Sequence, residues 1–90
     1  MAPDAFDPAR PWRLSPEVSL RDEPFGALAY HHGNRRLVFL KSTGLVALVR
    51  RLGEFATAGD ALGELVAPGE RVRYARALAT LAAGELIGVG

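Results

Sequence analysis

The sequence predicts a single α+β domain in which a three-stranded antiparallel sheet is followed by three helices. Three observations carry this: apolar residues alternate with a period of two from Val18 to Leu40, a turn signal at Gly33-Asn34 interrupts them, and helical spacing takes over after Lys41. At 90 residues with 49% hydrophobic content, the chain is long enough for one core and too short for two.

The first 16 residues hold Pro3, Pro8, Pro11 and Pro16, four of the six prolines, so residues 1–16 are expected to be an extended arm, with 17–90 as the folded domain. Trp12 and Leu14 are expected to pin the arm to the body. Val18 and Leu20 begin the alternation, and after the break at Asp22-Glu23-Pro24 it resumes with Leu28 and Tyr30 on one face and Ala27, Ala29 and His31 on the other. Gly33-Asn34 can supply the positive φ angles of a two-residue hairpin turn, and Arg36 to Leu40 returns as the third strand. Such closure sets Tyr30 opposite Leu37, Leu28 opposite Phe39, His31 opposite Arg36 and Ala29 opposite Val38. The face with the larger side chains, Leu28, Tyr30, Leu37 and Phe39, is the expected core face.

Ser42 or Thr43 can cap a helix whose stripe is Leu45, Leu48, Val49 and Leu52, ended by Gly53. Thr57 followed by Asp60 resembles a capping box for a second helix, with Ala61, Leu62, Leu65 and Val66 apolar and Pro68-Gly69 as its stop. A third, Glu70 to Ala83, is expected to turn Val72, Ala75, Leu78, Ala79 and Ala82 inward and to hold Arg71, Arg73 and Arg76 outside, with Gly84 at C′. A winged helix-turn-helix-like arrangement satisfies this order, the helices covering one face of the sheet.

Several kinds of chemistry are excluded or lack support. Without Cys there are no disulfides, thiolate nucleophiles or Cys-bound metals. His31 and His32, the only histidines, are strand neighbours that point to opposite faces, which disfavours a shared metal or a catalytic dyad. Asp22-Glu23 falls in a predicted turn, where a solvated role is the ordinary one, and no phosphate-binding glycine motif occurs. No catalytic residue, metal site or cofactor is expected. The N-terminus has no basic residue before an apolar run, and no apolar stretch is long enough to span a bilayer, so a cytoplasmic protein without membrane contact is expected. A net charge of +1 argues against the alternative of a winged-helix DNA-binding domain, which would need several phosphate contacts.

The third strand has a different use. As a sheet edge it carries unpaired N–H and C=O groups, protected only by Arg35, Arg36 and Lys41, and a peptide could add there as a further strand. Val38→Pro is expected to remove a donor from that edge.

The segment Leu20-Arg21-Asp22-Glu23-Pro24-Phe25-Gly26-Ala27-Leu28-Ala29-Tyr30-His31, continued by Gly33-Asn34-Arg35-Arg36-Leu37 and Phe39-Leu40-Lys41-Ser42, resembles the mycofactocin precursor peptide chaperones. These are PqqD-like domains, also called RiPP recognition elements. The likeness runs from about Pro11 to Ile87 and is specific mainly in the hairpin; the glycine-rich tail Gly84 to Gly90 departs from it. The resemblance implies a non-catalytic winged helix-turn-helix domain that binds the leader of a ribosomally made precursor peptide and presents it to a radical SAM maturase. It also implies that the leader adds beside Arg36 to Lys41, meeting Leu37, Val38, Phe39 and Leu40, and lies against the third helix at Val72, Arg73, Arg76 and Ala77. An acidic leader would give Arg35, Arg36, Arg73 and Arg76 partners at the rim. A monomer, or a weak homodimer through free edges, is expected.

Overall fold

The computed structural model describes residues 5–90, so Pro3 and Asp4 of the arm lie outside the described residues. In chain order the elements are β1 (Trp12–Leu14), β2 (Val18–Glu23), β3 (Gly26–His31), β4 (Leu37–Leu40), α1 (Thr43–Arg51), α2 (Ala58–Leu65), α3 (Arg71–Ala83) and β5 (Ile87–Val89). Short 3-10 turns follow α1, at Leu52–Glu54, and precede α3, at Pro68–Glu70. β2, β3 and β4 form an antiparallel sheet in that order, and β1 pairs with β5 in a separate two-stranded ribbon. This is the expected α+β class, with one sheet added.

The β3–β4 register agrees with the sequence: Leu28 faces Phe39, Ala29 faces Val38 and Tyr30 faces Leu37. The turn is built differently. Among the non-glycine hairpin residues Arg35 takes the positive φ, 62°, and neither Gly33 nor Asn34 does. The Arg35 N–H donates to the His31 carbonyl (2.8 Å), giving a four-residue loop closed by the His31 N–H to the Arg36 carbonyl (2.9 Å). The buried His31 ring holds the loop, Nδ1 accepting from the N–H groups of Gly33 (3.0 Å) and Asn34 (3.1 Å). A side-chain acceptor inside the turn lets a longer loop replace the two-residue one.

The core face is the reverse of the expected one. Ala27, Ala29, His31 and Leu40 are buried, whereas Leu37 and Phe39 are more than half exposed, at 55% and 56%. The cause is close packing: α1 lies on β3, and only alanine leaves room for Val46, Leu48 and Val49 on the facing helix. Volume lost on the strand is regained from elements distant in sequence, since Trp12 (2% exposed), Leu86 and Ile87 join the same cluster.

Capping follows the sequence at two helices. The Ser42 hydroxyl accepts from the Leu45 N–H (3.1 Å), and the Thr57 hydroxyl accepts from the Asp60 N–H (3.0 Å). Helix α3 differs in detail. Leu78, Leu81 and Ala82 are its buried residues, while Val72 and Ala79, expected inward, are exposed. Arg71 is not part of a free basic face: its Nε and Nη2 donate to the carbonyls of Leu62, Gly63 and Val66 and so satisfy the C-terminal turn of α2.

Gly84 is the C-cap of α3 rather than C′; Glu85 takes the left-handed position, φ 62°. The Glu85 N–H then donates to the Ala82 carbonyl and the Leu86 N–H to the Leu81 carbonyl, a Schellman closure that turns buried Leu86 inward. It launches β5 from a tail that sequence reasoning left without structure. β5 sets Trp12 opposite Val89 and Leu14 opposite Ile87, so the pairing ties residues 12–14 of the arm to the end of the domain.

Candidate functional site

β4 is one edge of the three-stranded sheet. Antiparallel residues alternate between pointing their N–H and C=O groups at the neighbouring strand and away from it. The bond from His31 to the Arg36 carbonyl sets the phase. With the observed register, Val38 and Leu40 turn their main-chain groups toward β3, and Leu37 and Phe39 turn theirs outward. The expected effect of Val38→Pro is corrected accordingly: that N–H belongs to the internal ladder, and the donors available at the edge are those of Leu37 and Phe39.

Helix α3 runs antiparallel alongside this edge. Near its start the Tyr74 hydroxyl lies 3.3 Å from the Ser42 hydroxyl, just beyond β4. At its end the Gly84 carbonyl accepts from Asn34 Nδ2 (3.3 Å), just before β4. Between strand end and helix lies an open pocket of about 680 Å³, lined by Pro24, Phe25, Lys41, Ser42, Thr43, Leu45, Arg73, Tyr74 and Ala77. Its wall is apolar at Phe25, Leu45, Tyr74 and Ala77, and Lys41 and Arg73 set positive charge at its rim.

Of the residues expected to bind peptide, the structure brings Lys41, Arg73 and Ala77 into this pocket and places Leu37 and Phe39 on the free edge. Val38 is half-buried and Leu40 buried, both pointing under the sheet. Arg35 and Arg36 are exposed at the other end of β4. Val72 and Arg76 are exposed on α3 but do not line the pocket. Arg73 is already paired with Glu70, whereas Arg35, Arg36, Lys41 and Arg76 form no ion pair among the described residues. Phe25, Leu45 and Tyr74 were not expected at the site. For Tyr74 the signal was present, because it lies three residues before Ala77 on one helix face.

The opposite edge, β2, is blunted. Pro16 and Pro24 flank it, and its charges are already paired, Asp22 with Arg50 (2.8 Å) and Glu23 with Arg21 (2.6 Å). The histidines are divided: His31 is committed to the hairpin loop, and His32 on the outer face has Nε2 2.7 Å from the Ser19 hydroxyl and its ring against Tyr30. No group of three His, Asp or Glu among the described residues is placed to hold a metal ion.

Fold and site together define a class: a small α+β domain, compatible with a PqqD-like fold, offering a strand edge backed by a helix. The chain belongs to the peptide chaperone MftB family, whose sequence profile matches residues 11–88. It is 43% identical over 84 residues to a peptide chaperone MftB of Mycobacterium ulcerans (strain Agy99), covering 92% of this chain and 77% of that protein. The protein of the same name from Mycobacterium tuberculosis (strain ATCC 25618 / H37Rv) is 42% identical, covering 91% of this chain and 76% of its own length. That of Mycolicibacterium smegmatis (strain ATCC 700084 / mc(2)155) is 41% identical, covering 91% and 81%. No solved structure matches the chain significantly. The chain is therefore a peptide chaperone, which works by binding and not by turnover. No helix among the described residues is long and apolar enough to cross a membrane.

Proposed function

We propose that the chain binds the leader of a ribosomally made precursor peptide as a fourth strand beside β4 and presents it to a radical SAM maturase in the cytoplasm. The observation that carries this reading is the coincidence of a free strand edge at Leu37 and Phe39 with a helix, α3, running alongside it. A strand entering there gains main-chain hydrogen bonds at the edge, while side chains directed toward α3 enter the pocket between Phe25, Leu45, Tyr74 and Ala77. Arg35 and Arg36 at one end and Lys41 at the other favour an acidic leader and steer its approach.

The same charges disfavour a homodimer through the edges. Antiparallel self-pairing centred on Val38 would hydrogen-bond Leu37 to Phe39 of a second copy, but it would also set Arg35 opposite Lys41 at both ends, and like charges opposed across a ladder are destabilising. That charge clash supports a monomer that pairs with the acidic peptide over a homodimer in this register.

Isothermal titration with the acidic precursor peptide tests the reading, and silence at tens of micromolar would overturn it. Phe39→Pro, at an outward N–H on an edge strand, should weaken binding about tenfold or more while the sheet stays folded. Val38→Pro should instead break the ladder to Ala29 and destabilise the domain.

A further inference from the structure

We infer that the outer face of the sheet, at Leu37 and Phe39, reads the bound strand as well as the groove does, so that the segment recognised is a short unbroken apolar run with an acidic residue at each end. This rests on the strand-addition reading above and specifies which peptide it selects.

Leu37 and Phe39 are the β4 residues whose main-chain groups point outward, and their side chains stand on the face away from the helices, 55% and 56% exposed. The residues most available to hydrogen-bond an incoming strand are thus the ones whose apolar side chains remain uncovered. A strand paired with them sets its own outward residues directly opposite Leu37 and Phe39, at the cross-strand distance where apolar and aromatic pairs interact. The outer face is already apolar around that point: Phe25 lies edge-on to Phe39 with ring centroids 6.1 Å apart, and half-buried Leu28 and Tyr30 stand behind on β3.

The intervening residues of the incoming strand point to the other side, toward Tyr74 and Ala77 of α3. Both faces of that strand therefore meet apolar surface. An amphipathic segment with alternating polar residues would satisfy only one of them. The run is bounded because β4 is cationic at both ends, Arg35 and Arg36 before it and Lys41 after it, without carboxylate partners among the described residues. Acid, apolar run, acid is the complement of this pattern.

Three capped synthetic peptides of equal length and acidic flanks test this by fluorescence anisotropy: one with a central Leu-Val-Ile-Val run, and two in which serine replaces alternate residues of the run, in one phase and in the other. The unbroken run should bind about tenfold more tightly than either alternating peptide, and Phe39→Ser should remove that advantage over the peptide whose serines stand on the outer face while leaving it over the peptide whose serines face the groove. Because Phe39 is exposed, the variant should keep the wild-type circular dichroism spectrum and Tm. An alternating peptide that binds as tightly as the run, with no response to Phe39→Ser, would overturn the outer-face inference; strand addition would still stand if Phe39→Pro weakened that peptide. Tight binding of all three that Phe39→Pro leaves unchanged, or binding of none at high micromolar concentration, would remove the strand-addition reading itself and the inference with it.

Discussion

Replacing Gly26 with alanine should cost more than its position at the start of a strand suggests. Gly26 has φ +150°, a conformation that side-chain-bearing residues rarely adopt. A Cβ built there would lie 2.0 Å from the Leu40 carbonyl oxygen, 2.9 Å from the Ser42 nitrogen and 3.1 Å from the Leu40 carbonyl carbon, all backbone atoms. Ordinary C···O contacts start near about 3.3 Å, so β3 and β4 would have to part by more than about 1 Å where they join α1. The unfavourable dihedral contributes about 1–3 kcal/mol. The weakened ladder at Ala27 and Leu40 adds about 0.5–1.5 kcal/mol, for a total of about 1.5–4.5 kcal/mol. A domain of this size has roughly 5–13 kcal/mol of stability, so the variant should still fold. Its Tm should fall by at least about 6 °C, followed by circular dichroism. Gly63, on the exposed side of α2 with nothing within 4 Å of a built Cβ, is the control. Gly63→Ala should stabilise by about 0.5–1 kcal/mol through helix propensity. A Gly26→Ala Tm within about 3 °C of the parent would refute the reasoning.

Two further substitutions probe the supports of the edge. His31→Phe retains bulk but removes the acceptor shared by the Gly33 and Asn34 N–H groups; urea denaturation should show a loss of about 1–2 kcal/mol, with the β3–β4 turn the first region to exchange. Arg71→Met removes the donors to the Leu62, Gly63 and Val66 carbonyls, and should destabilise by about 1–2 kcal/mol and speed amide exchange in the last turn of α2, whereas Arg76→Met should do neither.

Much of the fold was legible because its signals are local. Period-two alternation gave β2, β3 and β4, the caps at Ser42 and Thr57 are set by side chains three residues from their donors, and the hairpin register follows from the turn's position in the chain. What escaped was long-range. The ribbon of β1 and β5 joins residues more than seventy apart, and neither three-residue strand has a pattern of its own. The core face was misread for a related reason: ranking faces by side-chain size ignores how near a helix approaches, and α1 approaches β3 closely enough to require Ala27 and Ala29. That error bears on function, since the larger residues assigned inward, Leu37 and Phe39, are the ones left outside. At the site, β4 and its charges were readable, but the pocket needs Phe25, Leu45 and Tyr74 from three separate segments, which only tertiary packing brings together.

Strand addition at β4 has a direct signature in amide exchange, because the phase of the ladder divides neighbouring residues. In the free protein the N–H groups of Val38 and Leu40 face β3 and those of Leu37 and Phe39 face outward, so the former should exchange slowly and the latter fast. NMR-detected exchange on titration with the acidic precursor peptide should show Leu37 and Phe39 becoming protected while Val38 and Leu40 change little. Saturable binding that leaves the Leu37 and Phe39 amides as exposed as before would contradict β4 as the strand that takes the peptide.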